Sequence, residues 1–332
     1  MEEAEEWGET ASQTRMNSRN PLDKYTNDDM KPVHYNHPTA ALRNIDPDIL
    51  GSWEAIQTGK LLAQPFGAYA SKAENHNGLK ALIFAAVVEI TDTTNISVCA
   101  PRRKPNSPKN PTSFLIHNLT EKQRQTLLVR SVWSSTDITF RVLPFEPACP
   151  NFLFSIKGFT TGTEDTVKKA VESVWEDETT ETFLNSICNQ IPEKDRTIAA
   201  QTLRDFINSM WVTMLKTRLK GSFLAPTFQV YAIGGMINND RTWCRLRSYF
   251  ASRNYVVPLE DPGITTIPTA DNECSICHGA DHPRGLCPFQ GIIGWNGPKG
   301  RDDEPLTDPI TGKKIYGAQS TRNRNNARVD RA

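Results

Sequence analysis

Four side chains within fourteen residues, Cys274, Cys277, His282 and Cys287, constrain this chain more than anything else in it. Their spacing is Cys-x2-Cys-x4-His-x4-Cys, and three thiolates with one imidazole form a complete tetrahedral donor set for Zn²⁺. A segment this short cannot build a core of its own. Metal binding would have to supply its folding energy, on the order of 10–16 kcal/mol for zinc-finger peptides at neutral pH. Four protein ligands leave no open coordination position, so the site points to structure or recognition rather than to catalysis. His278 lies next to Cys277, where it is badly placed to reach the same ion, and is expected to face solvent or a phosphate.

The rest of the chain narrows the class further. Its 332 residues carry a formal net charge of zero, so the whole molecule is not an electrostatic trap for polyanions. Charge is uneven, however. Glu2, Glu3, Glu5, Glu6 and Glu9 crowd the start, and Arg322, Arg324, Arg328 and Arg331 face Asp330 alone at the end. The remaining cysteines, Cys99, Cys149, Cys188 and Cys244, are scattered and read as buried or free thiols. No secretory signal opens the chain and no apolar run is long enough to span a bilayer. A reducing intracellular setting, cytoplasmic or nuclear and without a membrane partner, is therefore expected, where clustered cysteines mean metal rather than disulfide. The sequence has no phosphate-binding Gly-Lys-Ser/Thr loop, no Gly-x-Ser-x-Gly elbow, no His-Glu-x-x-His and no dinucleotide fingerprint, so an enzyme is not expected.

The pattern along the chain predicts an α+β protein. Residues 1–36 read as a disordered acidic N-terminus. Residues 38–100 read as a helical segment, opened by Asp46 and Pro47, with Ile49, Leu50, Trp53 and Ile56 at helical spacing and a buried helix over 78–90. Residues 101–112 form a stiff basic linker, in which Arg102, Arg103 and Lys104 are plain spacer or a small nucleic-acid or nuclear-localisation patch. Residues 113–258 form a mixed α/β body. Its strands are expected at 113–119, 137–145, 151–159 and 227–233, and its helices at 120–132, 164–177, 180–190, 193–219 and 241–251. The metal segment occupies 271–290, and 296–332 is a disordered basic tail. Trp53, Trp133, Trp175, Trp211 and Trp243 fall on apolar faces and read as core.

The ligand spacing resembles the CCHC zinc knuckle of retroviral nucleocapsid and Gag proteins, a module that binds single-stranded nucleic acid. The chain departs from that family between the ligands. His278 and Asp281 stand where the family usually has Gly, so Gly279 and Gly285 are expected to provide the turns. Ser275 stands where the family often has an aromatic. The resemblance implies single-stranded RNA or DNA as partner, with Ile276 and Leu286 forming a cleft for an unpaired base and stacking surface from Phe289 and Trp295. Trp295 alternatively folds back over the knuckle as a lid. Arg284 would pair with a phosphate or stack on a base, or simply keep the loop soluble. Arg322 and Arg324 would neutralise phosphate, or belong to a solvated tail. The order of parts is similar to Gag-like or first-open-reading-frame proteins of fungal retroelements, which implies a non-catalytic protein whose body supplies self-association or a second RNA contact.

Residues 113–177 also resemble the start of an RNA-recognition motif, with Phe152 and Phe154 where third-strand aromatics stack bases. The plainer reading makes these rings the core of a ferredoxin-like sheet. As a whole, the alternatives to nucleic-acid binding are a zinc-stabilised protein-interaction adaptor and a decayed transposon fragment.

Overall fold

Leu62 pairs with Leu115 on one neighbouring strand and with Leu143 on the other, while the adjacent Ala63 pairs with Phe114 and Val142. Both faces of this sheet are therefore apolar, and the fold follows from what covers each. The computed structural model describes residues 30–298 other than 68, 69, 71 and 219–223, together with 306–307 and 314–315. The acidic start of the chain, Arg322 and Arg324 lie outside the described residues.

The first sheet is assembled from Gly59–Pro65 (β1), Ser97–Cys99 (β2), Phe114–Leu119 (β3), Val132–Ser134 (β4) and Thr139–Pro144 (β5), in the spatial order β2-β3-β1-β5-β4, with every pairing antiparallel. Helices Pro47–Glu54 (α1), His76–Thr91 (α2) and Glu121–Arg130 (α3) belong to this half. Leu61, Ala63, Phe114, Ile116 and Val142 face α2 and α3, where Leu79, Ile83, Val87 and Leu127 complete a core. Leu62, Leu115 and Leu143 face the other way and are covered by Ile45 and Trp53, brought there by α1 and the segment before it. Asp46 caps α1 by accepting the N–H of Asp48 at 3.0 Å, with Pro47 in the first turn. Thr120 and Gln123 form the capping box of α3.

The second sheet comprises Phe152–Lys157 (β6), Trp211–Arg218 (β7), Leu224–Tyr231 (β8) and Ile264–Thr266 (β9), in the order β7-β8-β6-β9 and again antiparallel. Glu164–Trp175 (α4), Glu178–Cys188 (α5) and Glu193–Asn208 (α6) connect β6 to β7, and Asp240–Ala251 (α7) connects β8 to β9. Phe154, Ile156, Val212, Phe228 and Val230 face these helices and meet Val167, Val171, Phe206, Trp243 and Phe250. Trp175 stacks on Phe250 with ring centroids 4.0 Å apart. Setting aside β4, which pairs only with β5, both sheets are threaded β-α-β-β-α-β, with the first and third strands central.

The α+β class expected from the sequence is observed, but the parts fall differently. The segment expected to be helical over 38–100 contains β1 and β2. Strands 113–119 and 151–159, read as partners within one RNA-recognition sheet, lie in different sheets. Phe152 and Phe154 are fully buried; Phe154 is in the helix-side core, and Phe152 packs with Tyr231 and Ala280. The helix expected over 193–219 ends at Asn208 and gives way to β7, because Trp211, Val212 and Thr213 pair with β8. Residues 30–36, expected to be disordered, form a packed strap in which Val33 and Asn36 are buried. The linker 101–112 is tied down through Arg102, which pairs with Asp46 at 3.1 Å, and Lys104, whose N–H donates to the Asn44 carbonyl. Within the tail, Leu306–Thr307 pairs with Lys314–Ile315.

Two measurements check this arrangement. Phe154→Ala should cost about 3–5 kcal/mol in urea unfolding, as expected for an aromatic removed from a closed core. A cost within the roughly 0.5 kcal/mol of a surface substitution would place the ring outside it. The second concerns Glu260, whose carboxylate accepts the N–H and hydroxyl of both Thr160 and Thr161, tying the loop after β6 to the approach to β9. The Thr160 N–H, with the other three donors, holds the carboxyl down at about 2, against an ordinary 4.5. A depressed folded-state value means that this contribution is complete above 4.5 and is lost as pH falls through about 2. Glu260→Gln should flatten that part of the acid dependence, read as unfolding midpoints across the same pH window.

Candidate metal centre

Cys274, Cys277, His282 and Cys287 come together as a buried group whose donor atoms all lie within 4.8 Å of one another. The first turn places two of them. The N–H of His278 donates to the Cys274 carbonyl at 2.8 Å, and the N–H of Cys274 donates to the Gly279 carbonyl at 2.7 Å. Within that turn the N–H groups of Ile276 and Gly279 point at the sulfurs of Cys274 and Cys277, each at 3.4 Å. Such donors favour thiolates over thiols. Two short turns, Arg284–Leu286 and Pro288–Gly291, flank Cys287. His282 Nε2 approaches Cys277 Sγ at 3.3 Å, so this nitrogen faces the sulfurs. Three sulfurs and one nitrogen converging on a shared centre fit a tetrahedral metal ion, and the donor set is one that zinc takes.

The surroundings of the four donors are more informative than the donors. His282 Nδ1 lies 2.7 Å from Asp281 Oδ1, and Asp281 Oδ2 accepts the Tyr231 hydroxyl at 2.9 Å. Burial pushes the Asp281 carboxyl up, but the hydrogen bond from His282 and the neighbouring imidazole charges outweigh it and keep the group below the usual carboxylate range. Burial and the facing Asp281 charge both push the Tyr231 phenol up, so it stays a donor.

His278 does not face solvent. It adopts φ +62°, a left-handed conformation, in the place where the resemblance led to an expectation of Gly. Its Nε2 sits 2.9 Å from the Pro65 carbonyl, and burial keeps the imidazole below its ordinary value. The left-handed turn thus falls on His278 rather than on Gly279 or Gly285. Gly279 is closely packed instead: a Cβ there would lie 3.2 Å from Asp281 Oδ1, Cys277 Sγ and His282 Cε1 alike, tighter than ordinary contact.

The metal loop is docked on the body from several sides. Ile276, Phe289 and Trp295 are buried in one cluster with Phe66, Val132 and Val33. Phe289 meets Phe66 edge-on at 5.0 Å, and Trp295 lies 5.5 Å from Phe66 and 5.2 Å from Phe289. The Gly67 N–H donates to the Ile276 carbonyl at 2.7 Å, and the Ala280 N–H donates to the His34 carbonyl at 2.8 Å. Arg43 pairs with Glu273 at 2.5 Å and Lys109 with Asp271 at 2.6 Å. Of the residues expected to contact bases, Ile276, Phe289 and Trp295 thus present no open face, and Trp295 takes the folded-back position. Arg284 is half-buried and donates to Ser275 Oγ at 3.0 Å. Leu286 is 38% exposed.

Sequence reasoning missed Phe66, His34, Asp281 and Tyr231. Asp281 carried a legible signal, because it replaced an expected glycine beside a ligand. The others reach the site only through the fold.

Compared with known proteins, the chain matches no family model, no curated protein and no solved structure. The knuckle resemblance therefore rests on the four ligands and their spacing. No helix among the described residues is long and apolar enough to cross a membrane.

Removing the metal should undo the docking. On chelation, or in Cys287→Ser, the amides of Gly67 and Ala280 are expected to lose hydrogen-exchange protection, and a metal-loaded preparation should hold one ion per chain. Retained protection of both amides without metal would show that the loop docks by itself.

Proposed function

We propose that this chain is a non-catalytic, zinc-dependent binder of single-stranded nucleic acid, and that its knuckle acts as a clasp while a neighbouring sheet face meets the bases. The four donors support zinc as the resident ion, through their chemistry. The observation that carries the reading is Trp211. It is half-buried, on the face of the second sheet away from its helix-side core, with its ring stacked on Tyr231 at 5.0 Å and an interplanar angle of 6°.

That face continues as one polar row and one mixed row. Thr213, Gln229, Ser155 and Thr266 lie side by side, and Leu215, Thr227, Lys157 and Ile264 follow in the next row. Ser155, Thr227 and Gln229 are buried within these rows, and Lys157, Ile264 and Thr266 are exposed; Trp211 with this exposed edge is where a base would stack and a phosphate would be balanced. The threading of this sheet is that of a ferredoxin-like unit, and in RNA-recognition motifs the helix-free face takes the strand. In this reading Phe152 and Tyr231, at the aromatic end of the face, are covered by Ala280 of the knuckle, and Trp211 is what remains open. The tail residues Arg322 and Arg324 would add phosphate contacts. Kinship with Gag-like retroelement proteins, and self-association, belong to the same proposal.

Titration of fluorescent single-stranded RNA and DNA at two salt concentrations tests it. Binding should weaken with salt, and Trp211→Ala should cost about 1–3 kcal/mol, the worth of one stacked base. Equal affinity of the folded variant would overturn the assignment. One observation favours the second reading, a zinc-stabilised protein adaptor: the apolar residues of the knuckle are already spent on the body. Absence of oligonucleotide binding at low salt would select it.

A further inference from the structure

The pair of hydrogen bonds at Asp281 does more than fill space. An imidazole that ligates a metal through Nε2 must keep its proton on Nδ1, and the partner of Nδ1 decides both that tautomer and the plane of the ring. Here the partner is a carboxylate, at 2.7 Å from His282 Nδ1. That carboxylate does not swing freely, because its second oxygen is held by the Tyr231 hydroxyl at 2.9 Å. Tyr231 is itself fixed, at the end of β8, between Trp211 on one side and the His34 ring at 4.9 Å, with Phe152 at 5.4 Å. The strap that carries His34 also accepts the N–H of Ala280, the residue before Asp281. The carboxylate is thus aimed from both ends.

We propose that Asp281 and Tyr231 are positioning residues of the metal centre. Asp281 orients His282 through Nδ1, and Tyr231 orients Asp281, so that metal affinity depends on a strand residue fifty positions away from the metal loop. This rests on the metal reading above but not on the nucleic-acid one. It also explains the residue itself. A glycine before the histidine would leave Nδ1 to water, whereas Asp281 uses both oxygens to join the metal loop to the second sheet. Linkage makes the effect reciprocal: if the sheet tightens metal binding, metal binding stabilises the sheet by the same factor.

The test uses the full chain, with zinc competed against a chromogenic chelator and Co²⁺ as a spectroscopic probe. Asp281→Asn should hold zinc about 10–100-fold more weakly, the usual effect of removing such a partner, and should shift the visible Co²⁺ bands as the imidazole reorients. Asp281→Glu should recover part of the affinity. Tyr231→Phe keeps the ring stack on Trp211 and removes only the hydroxyl. It should weaken zinc binding in the same direction, and zinc should raise the unfolding temperature of that variant less than that of the intact chain. A purely structural role would lower thermal stability without moving chelator competition or Co²⁺ bands, and that result in Asp281→Asn would overturn the proposal. Should Asp281→Asn fail to fold, Tyr231→Phe decides: unchanged zinc affinity in it would be equally fatal. Oligonucleotide binding enters none of these readouts.

Discussion

The contact between Phe66, at the end of β1, and the Phe289–Trp295 pair is the joint on which the arrangement depends. Residues 274–298 contain few apolar side chains, and three of the large ones are turned outward from the metal loop onto Phe66 and Val132. The loop therefore cannot be stable alone in this conformation, and the end of β1 would be bare without it. A metal ion held by the four donors would fix the backbone that aims Ile276 and Phe289, and the body supplies the apolar surface that those residues need. Each half offsets the ordering entropy of the other. The backbone hydrogen bonds from Gly67 to Ile276 and from Ala280 to His34 set the register of this docking, as side-chain packing alone would not.

The two sheets share a threading but not a covering. In the first, Leu62, Leu115 and Leu143 form an apolar row on the face away from α2 and α3, and that face has to be buried; Ile45 and, from α1, Trp53 bury it. In the second, the corresponding face is built from Thr213, Gln229 and Ser155, joined by a 2.6 Å hydrogen bond between Ser155 Oγ and Gln229 Oε1. Ser155 and Gln229 are buried there and satisfy each other through that bond, whereas Thr266 at the β9 edge is exposed. The first face is thus closed by apolar packing, and the second is polar, buried at its centre and exposed at its β9 edge.

Legibility in the sequence followed the range of the interactions. The metal ligands were legible because their spacing is local and their chemistry restrictive. Helix starts at Asp46, Thr120 and Thr163 were legible or nearly so, because caps are made within three residues. The strand β1 was not, because Leu61, Leu62 and Ala63 are all buried and a strand covered on both faces shows no alternation. The strand β7 was absorbed into a preceding helix because nothing in Trp211 or Met214 marks a stop; its identity comes from β8, across a hairpin. The RNA-recognition resemblance failed at the same level. It paired 113–119 with 151–159 by separation along the chain, whereas β6 pairs with β8, so that Ser155 meets a residue 74 positions on.

The two departures from the knuckle pattern, His278 and Asp281, are the residues through which the loop reaches the rest of the fold. Glycines at those places would offer no side chain to a neighbouring element. Here each replacement reaches into the body instead: His278 to the Pro65 carbonyl at the end of β1, and Asp281 to Tyr231 at the end of β8. One anchor lies in each sheet. A metal loop held in this way has its orientation set by both sheets at once, and the relative placement of the sheets is set in turn by the loop. The two side chains at which the loop departs from the spacing pattern it resembles are therefore those that tie it to both sheets.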